Sequence, residues 1–477
     1  MNGVSKHIIK EAVLDFRYNG NTDGFAFQRE VKEWFDEFYP TLEQMLNRLS
    51  AEDEVITVDE LEIEVELNAS DWKEQAAQKI TQKLQDKLEL LNHGIVQAQS
   101  FQRKKQDQQF KDLFLYYLMN GYLSWEVSGI SSSQWNEEMQ NMVTVADKEY
   151  VTKLKNILLA SAHAAQRFSQ IIPFQSAVHL FSLLRKSNSV PQQQLLHDLQ
   201  LLMKYSAVNH LNKLKQMGYH VFLQSVINET ELSKAKDEVL QLLKKKAVAN
   251  PQLNLVETFT SFDLQSDLFK QIQTEVPEVI QNKLKRGRKP KSELPVIGKT
   301  NSELFTAEKI IADEIYISDA GLVLIAAFLP ALFEKTAVSE NNQIGDFNKA
   351  VCMIHFLASG SERMHEYELP LSKILCGVDL ETAIDAENFH LNAAMKTEAD
   401  AVLSSVIEYW SILQNTSVAG LRESFLKRNG KLSFDGKDWL LQVEQQSYDM
   451  LIQHLPWNFS MIRLPWMNCL LKTEWIY

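Results

Sequence analysis

Along residues 6–18 the apolar Ile8, Ala12, Leu14, Phe16 and Tyr18 share one parity and mostly polar residues share the other. A period of two predicts a strand. Asn19-Gly20-Asn21 then supplies turn chemistry. Over 24–50 the period changes: Phe27, Val31, Trp34, Phe38, Leu42, Met45, Leu46 and Leu49 fall three or four apart. That spacing puts them on one helical face, with Asp23 placed to cap the start and Pro40 inside as a kink position. Residues 55–67 read as a strand, most clearly where Leu61, Ile63, Val65 and Leu67 alternate with Glu62, Glu64 and Glu66. A helix from Asp71 to about Leu91 follows. The expected N-terminal module is therefore β-α-β-α, and a helical crossover between its strands favours a parallel pair.

The aromatic stretch FLYYLMNGYLSW at 114–125 leads into a region with one glycine, Gly218, between 131 and 285. Leu154, Ile157 and Leu158, and Leu195, Leu196, Leu199 and Leu202, keep helical spacing. Pro173, Pro191, Pro251 and Pro277 divide the region, because a helix interior loses about 3 kcal/mol to proline. The expectation is a chain of helices. KLKRGRKPKSELPVIGKT at 283–300 reads as a basic linker.

Beyond it, helices are expected at 320–335, 346–359, 369–376 and 397–413. Lys431–Phe434 and Trp439–Glu444 flank Asp435-Gly436-Lys437-Asp438, a hairpin signal, and short strands are expected at 460–464 and 471–476. The fold class read here is mainly α with small β elements: an N-terminal β-α-β-α module (1–92), a helical middle (93–282), the linker, and a C-terminal helical domain (301–477) ending in a small antiparallel sheet.

Composition narrows the function. The 477 residues are 45% hydrophobic and 23% charged, which suits a chain with a real core. A net charge of −13 argues against a general nucleic-acid coat. Three unpaired-looking cysteines, Cys352, Cys376 and Cys469, indicate neither a disulfide framework nor a cysteine-rich zinc site. The longest apolar run, Gly321 to Phe333, is broken by Pro330 and falls short of the ~20 residues a bilayer helix needs. The start, MNGVSKHIIKEAVLDF, does not have the pattern of a secretory signal.

No candidate chemistry assembles into a catalytic set. Cys352-x-x-His355 and His365-Glu366 are the only close His/Cys neighbours, and no second pair completes a four-ligand zinc site. Cys376 lacks a visible activating base. Phosphate-binding glycine loops are absent. The Glu62/Glu64/Glu66 ladder reads as a solvated face, since a strand points its carboxylates out in parallel rather than converging them. No catalytic residue, metal or cofactor is expected. Arg286-Gly287-Arg288-Lys289-Pro290 resembles an AT-hook, whose arginines enter the narrow minor groove of A·T-rich DNA, so Arg286 and Arg288 are the nucleic-acid candidates. Trp457, Trp466 and Trp475 recur every nine residues, suited to packing a core or anchoring a partner.

Three stretches carry a family resemblance: Asn415–Leu426 (NTSVAGLRESFL), Pro456–Met467 (PWNFSMIRLPWM) with Glu474-Trp475, and Gly321–Leu324 through Phe328–Phe333 followed by Leu375-Cys376-Gly377. His7–Lys10, Phe25–Gln28 and Leu61–Glu64 add to it. Together they resemble the tape measure proteins of contractile injection systems, the phage-tail-like particles of bacteria. The matching stretches lie in 1–67 and 320–477, and residues 92–310 carry no such resemblance.

The resemblance implies a non-enzymatic assembly protein that occupies the growing inner tube and sets or organises its length. It implies inner-tube, spike or baseplate and capping proteins as partners, with self-association besides, and a cytoplasmic place during assembly followed by retention inside the particle. Arg422, Trp457, Arg463, Trp466 and Trp475 are the candidate docking residues. Two alternatives stand beside this reading: a tube-initiation chaperone without a ruler role, and a nucleic-acid-binding scaffold using residues 283–291.

Overall fold

A computed structural model describes residues 12–17, 23–47, 54–58, 60–67, 71–92, 101–125, 130–184, 190–208, 212–223, 314–386 and 389–475, with a few isolated positions besides. The basic linker, Arg286 and Arg288 lie outside the described residues, as do Pro251 and Pro277. The chain divides into two compact units, Met1–Asp112 and Leu113–Tyr477.

In the first unit α1 (Gly24–Leu46) starts at Asp23, whose carboxylate accepts from the Phe25 N–H at 3.1 Å, and runs through Pro40. Its Trp34 and Phe38 pack with Ala76 of α2 (Trp72–Asn92), and Trp72 meets Trp34 edge-on. Strand β1 is Glu54–Val58, and it pairs antiparallel with β2, Phe101–Lys105. This corrects the expected parallel pair: β1's partner comes from the lysine- and glutamine-rich stretch after α2, and residues 12–17 form no strand. Residues 61–67 also join no sheet, although their exposure alternates as the sequence predicts.

The second unit opens inside α3 (Gln106–Asn120), which ends at Gly121 with φ +80°. The helical middle is cut by caps as much as by prolines. Ser131 and Gln134 form a capping box at the start of α4 (Ser132–Val145). Asp147 caps α5 (Lys148–Ala160) and Ser161 caps α6 (Ala162–Ile171). Pro173 precedes α7 (Phe174–Ser182), and Pro191 sits at the start of α8 (Val190–Val208). With α9 (Asn212–Val221) these helices bury Phe168, Phe174, Phe181, Tyr219 and Phe222 in a chain of edge-on aromatic contacts.

The C-terminal part follows the sequence reading closely. Residues 320–335 form a buried 3₁₀ helix, Ala320–Phe328, continuing into α10 (Leu329–Lys335). Gly321 is required there, because a Cβ would lie 1.8 Å from the Phe425 carbonyl oxygen. Helices α11 (Phe347–Ser359), α12 (Pro370–Leu375) and α13 (Ala393–Tyr409) surround it, followed by α14 (Val418–Leu421) and a π turn, Arg422–Leu426. After β3 (Ile315–Ile317) and the short β4–β5 hairpin (Ser339–Glu340, Gln343–Ile344) come β6 (Gly430–Phe434), β7 (Trp439–Val443), β8 (Met461–Ile462) and β9 (Leu471–Glu474). The five-stranded sheet has the order β3-β6-β7-β9-β8. It is mixed rather than wholly antiparallel, because β7 and β9 run parallel. Ile315, Leu432, Leu441 and Leu471 bury one face against the helices. The mainly α class with small sheets therefore holds.

Candidate partner-docking region

Four of the five docking candidates are anchored inside the fold. Trp457 donates its indole N–H to the Leu324 carbonyl at 2.7 Å and meets Phe328 edge-on. Trp466 donates to the Leu375 carbonyl at 2.8 Å and stacks on Phe333. Each tryptophan thus ties the C-terminal turns to a helix, Trp457 to the middle of the 3₁₀ helix and Trp466 to the end of α12, while satisfying its one donor. Gly377, with φ +65°, belongs to the second anchor: a Cβ there would lie 2.5 Å from the Trp466 carbonyl oxygen. Arg422 donates through Nε to the Leu357 carbonyl at 3.0 Å and pairs with Asp400 at 2.8 Å.

Trp475 is buried and donates to Asp449 at 2.9 Å. Asp449 also pairs with the buried Arg428 at 3.0 Å. The Arg428 guanidinium lies between the Tyr448 and Trp475 rings, 5.1 and 5.4 Å from their centroids. Arg463, by contrast, is exposed beside the anchored Leu464 and makes no ion pair among the described residues. The apolar Tyr409, Ile412, Met450 and Met461 are also exposed in this part of the chain.

The second buried charge cluster gave no sequence signal. Arg167 of α6 reaches Glu366 at 3.1 Å, and Lys373 of α12 reaches the same Glu366 oxygen at 2.6 Å. Arg167 also donates to the Leu118 and Met119 carbonyls at the end of α3, and to the Glu381 carbonyl at 2.5 Å. It thereby satisfies helix-end carbonyls that otherwise lack partners. Burial lowers the Lys373 pKa to about 8. The cluster has two cations and one carboxylate, all nearly inaccessible. Glu366 thus enters an ion-pair cluster while His365 stacks on Tyr367, and no group of His, Cys, Asp and Glu suited to a metal occurs among the described residues.

Cys352 and Cys376 are buried, and burial pushes both thiols well above their usual value. His355 lies on the same helix as Cys352, and burial lowers its pKa to about 4. A buried, undissociated thiol is a poor nucleophile. No helix among the described residues is long and apolar enough to cross a membrane.

The family model described as contractile injection system tape measure protein matches residues 6–475. The chain belongs to this family. The match covers nearly the whole tape measure chain, including 92–310, where no resemblance was legible in the residues. No curated relative and no solved structure matches it. The NTSVAGLRESFL stretch of this tape measure family member turns inward: Ser417 caps α14, accepting from the Gly420 N–H at 3.0 Å, Phe425 joins the core, and the half-buried Arg422 donates to the Leu357 carbonyl.

Proposed function

We propose that this chain organises the inner tube of a contractile particle during assembly and takes part in setting its length. The observation that carries this reading is the family match over residues 6–475. Its role is that of a structural component without catalysis. Its partners in this reading are inner-tube, spike or baseplate and capping subunits, met in the cytoplasm, with the chain afterwards held inside the particle.

Two features of the fold support a store of length. Helices α4, α5 and α6 are short, individually capped pieces, and α6 is tied to the C-terminal helices through Arg167. Drawn out as one continuous helix, residues 131–223 would span about 140 Å at ~1.5 Å per residue. The same packing also favours a second reading, in which the folded chain initiates the tube without measuring it.

Particles carrying in-frame deletions or duplications within 131–285 separate the two. Electron microscopy should show tube length moving by about 1.5 Å per residue if the region is a helical ruler. Tubes of unchanged, uniform length with normal assembly would leave tube initiation as the role. Particles of normal number and uniform length without the protein would remove both.

A further inference from the structure

From Leu61 to Glu66 burial alternates residue by residue, yet no strand pairs with residues 61–67 among the described residues. One edge of this segment is held by a helix. Lys79, Lys83 and Lys87 of α2 donate to the backbone carbonyls of Glu66, Glu64 and Glu62, the first two at 2.6 and 2.5 Å. The spacing explains the fit. Four residues of helix rise about 6 Å, and two residues of strand advance about 6.6 Å. Lysines one turn apart therefore meet every second carbonyl of an antiparallel extended chain. Only an extended segment presents the carbonyls of 62, 64 and 66 to the same side.

In such a segment successive peptide groups point to opposite edges. The N–H and C=O groups of Leu61, Ile63 and Val65 consequently point away from the lysines. None of them makes a backbone hydrogen bond among the described residues. An unpaired strand edge is a template for another strand.

Side chains say which strand. Leu61, Ile63 and Val65 are half-buried, while Glu60, Glu62, Glu64 and Glu66 are exposed on the opposite face. None of these four glutamates forms an ion pair among the described residues, because the nearby lysines hold backbone oxygens instead. Cross-strand neighbours share a face, and opposite charges there are favourable. The same unit already pairs strands this way: Glu54 of β1 lies opposite Lys105 of β2, and Arg103 approaches Glu54 at 3.4 Å.

We propose that the free edge of residues 61–67 is a strand-addition site for a partner protein's extended segment, one with lysine or arginine at alternate positions facing the glutamate ladder and apolar residues between. This surface stands apart from the ruler reading, since a chain that only initiates tubes would present it equally.

The test uses the full chain and a labelled short peptide of alternating lysine and valine. Fluorescence anisotropy should show saturable, salt-sensitive binding. A peptide of the same composition with its lysines in one block should bind about tenfold more weakly, the difference three cross-strand charge pairs supply. The Glu62→Lys, Glu64→Lys, Glu66→Lys variant should lose the alternating lysine peptide and gain an alternating glutamate one. These side chains are exposed and their carbonyls remain for α2, so a circular dichroism spectrum like the parent's is expected. Val65→Pro, which removes one free-edge N–H, should weaken binding as well. Equal binding of the blocked peptide, or unchanged binding by the triple variant, overturns the proposal.

Discussion

Arg167 and Glu366, 199 residues apart, form a buried ion pair at 3.1 Å. The pair joins the helical middle to the C-terminal helices, and Lys373 shares the same carboxylate oxygen. The other carboxylate oxygen, Oε2, has no hydrogen-bond partner among the described residues. Gly121 closes over the pair, since a Cβ there would lie 2.5 Å from Arg167 and 2.9 Å from Glu366.

The asymmetry of this cluster orders its variants. Glu366→Leu leaves the buried Arg167 guanidinium and the Lys373 amine without their carboxylate, whereas Arg167→Met leaves the Lys373–Glu366 pair. Breaking a buried pair costs about 3–5 kcal/mol. Glu366→Leu is expected at or above the top of that range and Arg167→Met near the bottom. Urea unfolding followed by tryptophan fluorescence checks the order, and hydrogen exchange should show α6 losing protection first in Arg167→Met. Equal losses for the two variants would mean that the carboxylate is not shared.

Asp319 predicts a pH dependence. It is buried, and burial raises its pKa from 3.8 to about 7. The folded state therefore holds more protons than the unfolded state between about pH 4 and 7. Its contribution is fully present below about pH 4 and is lost as pH rises through about 7. At ~1.4 kcal/mol per unit, the loss is at most about 4 kcal/mol. Asp319→Asn should remove this slope and be more stable than the parent at pH 8. Thermal melts of both proteins from pH 4.5 to 8 measure it; parallel curves would contradict the assignment.

Much of this fold was legible because its signals are local. Asp23 caps α1 as its place before the apolar period predicts. The hairpin at 435–438 formed because Asp435 accepts from the Lys437 and Asp438 N–H groups at 2.9 and 2.7 Å, while Gly436 takes φ +94°. Residues 61–67 show the limit. Their exposure alternates as the residues predict, but they form no strand: a row of lysines took the place of the expected neighbour, and period two does not distinguish the two. The candidate site was less legible still. Trp457 and Trp466 stood out by composition, yet their acceptors lie 133 and 91 residues away. Arg167 carried no signal, because nothing around α6 announces a carboxylate 199 residues later.

Gly377 and Gly436 both adopt positive φ but differ in their surroundings. A Cβ at Gly377 meets the Trp466 carbonyl oxygen, whereas Gly436 has nothing within 4 Å. Gly436→Ala should therefore cost only the strain of the left-handed backbone, about 1 kcal/mol. Gly377→Ala adds displacement of the Trp466 turn and should lose about 1–3 kcal/mol more. Denaturation midpoints give the difference, and near-ultraviolet circular dichroism should change for Gly377→Ala alone.

Arg463 and Trp475 separate docking from packing. Trp475 fills the core and holds Asp449, so Trp475→Ala should cost about 3–5 kcal/mol and reduce assembly through loss of folded protein. Arg463 is exposed, and Arg463→Glu should leave stability within about 0.5 kcal/mol. If this face docks on a particle subunit, Arg463→Glu lowers the yield of assembled particles while the purified chain keeps its parent melting temperature. Particle counts by electron microscopy beside melts of the same variant distinguish the cases. Normal particle yield with Arg463→Glu would take Arg463 out of the docking surface and leave this stretch with a packing role.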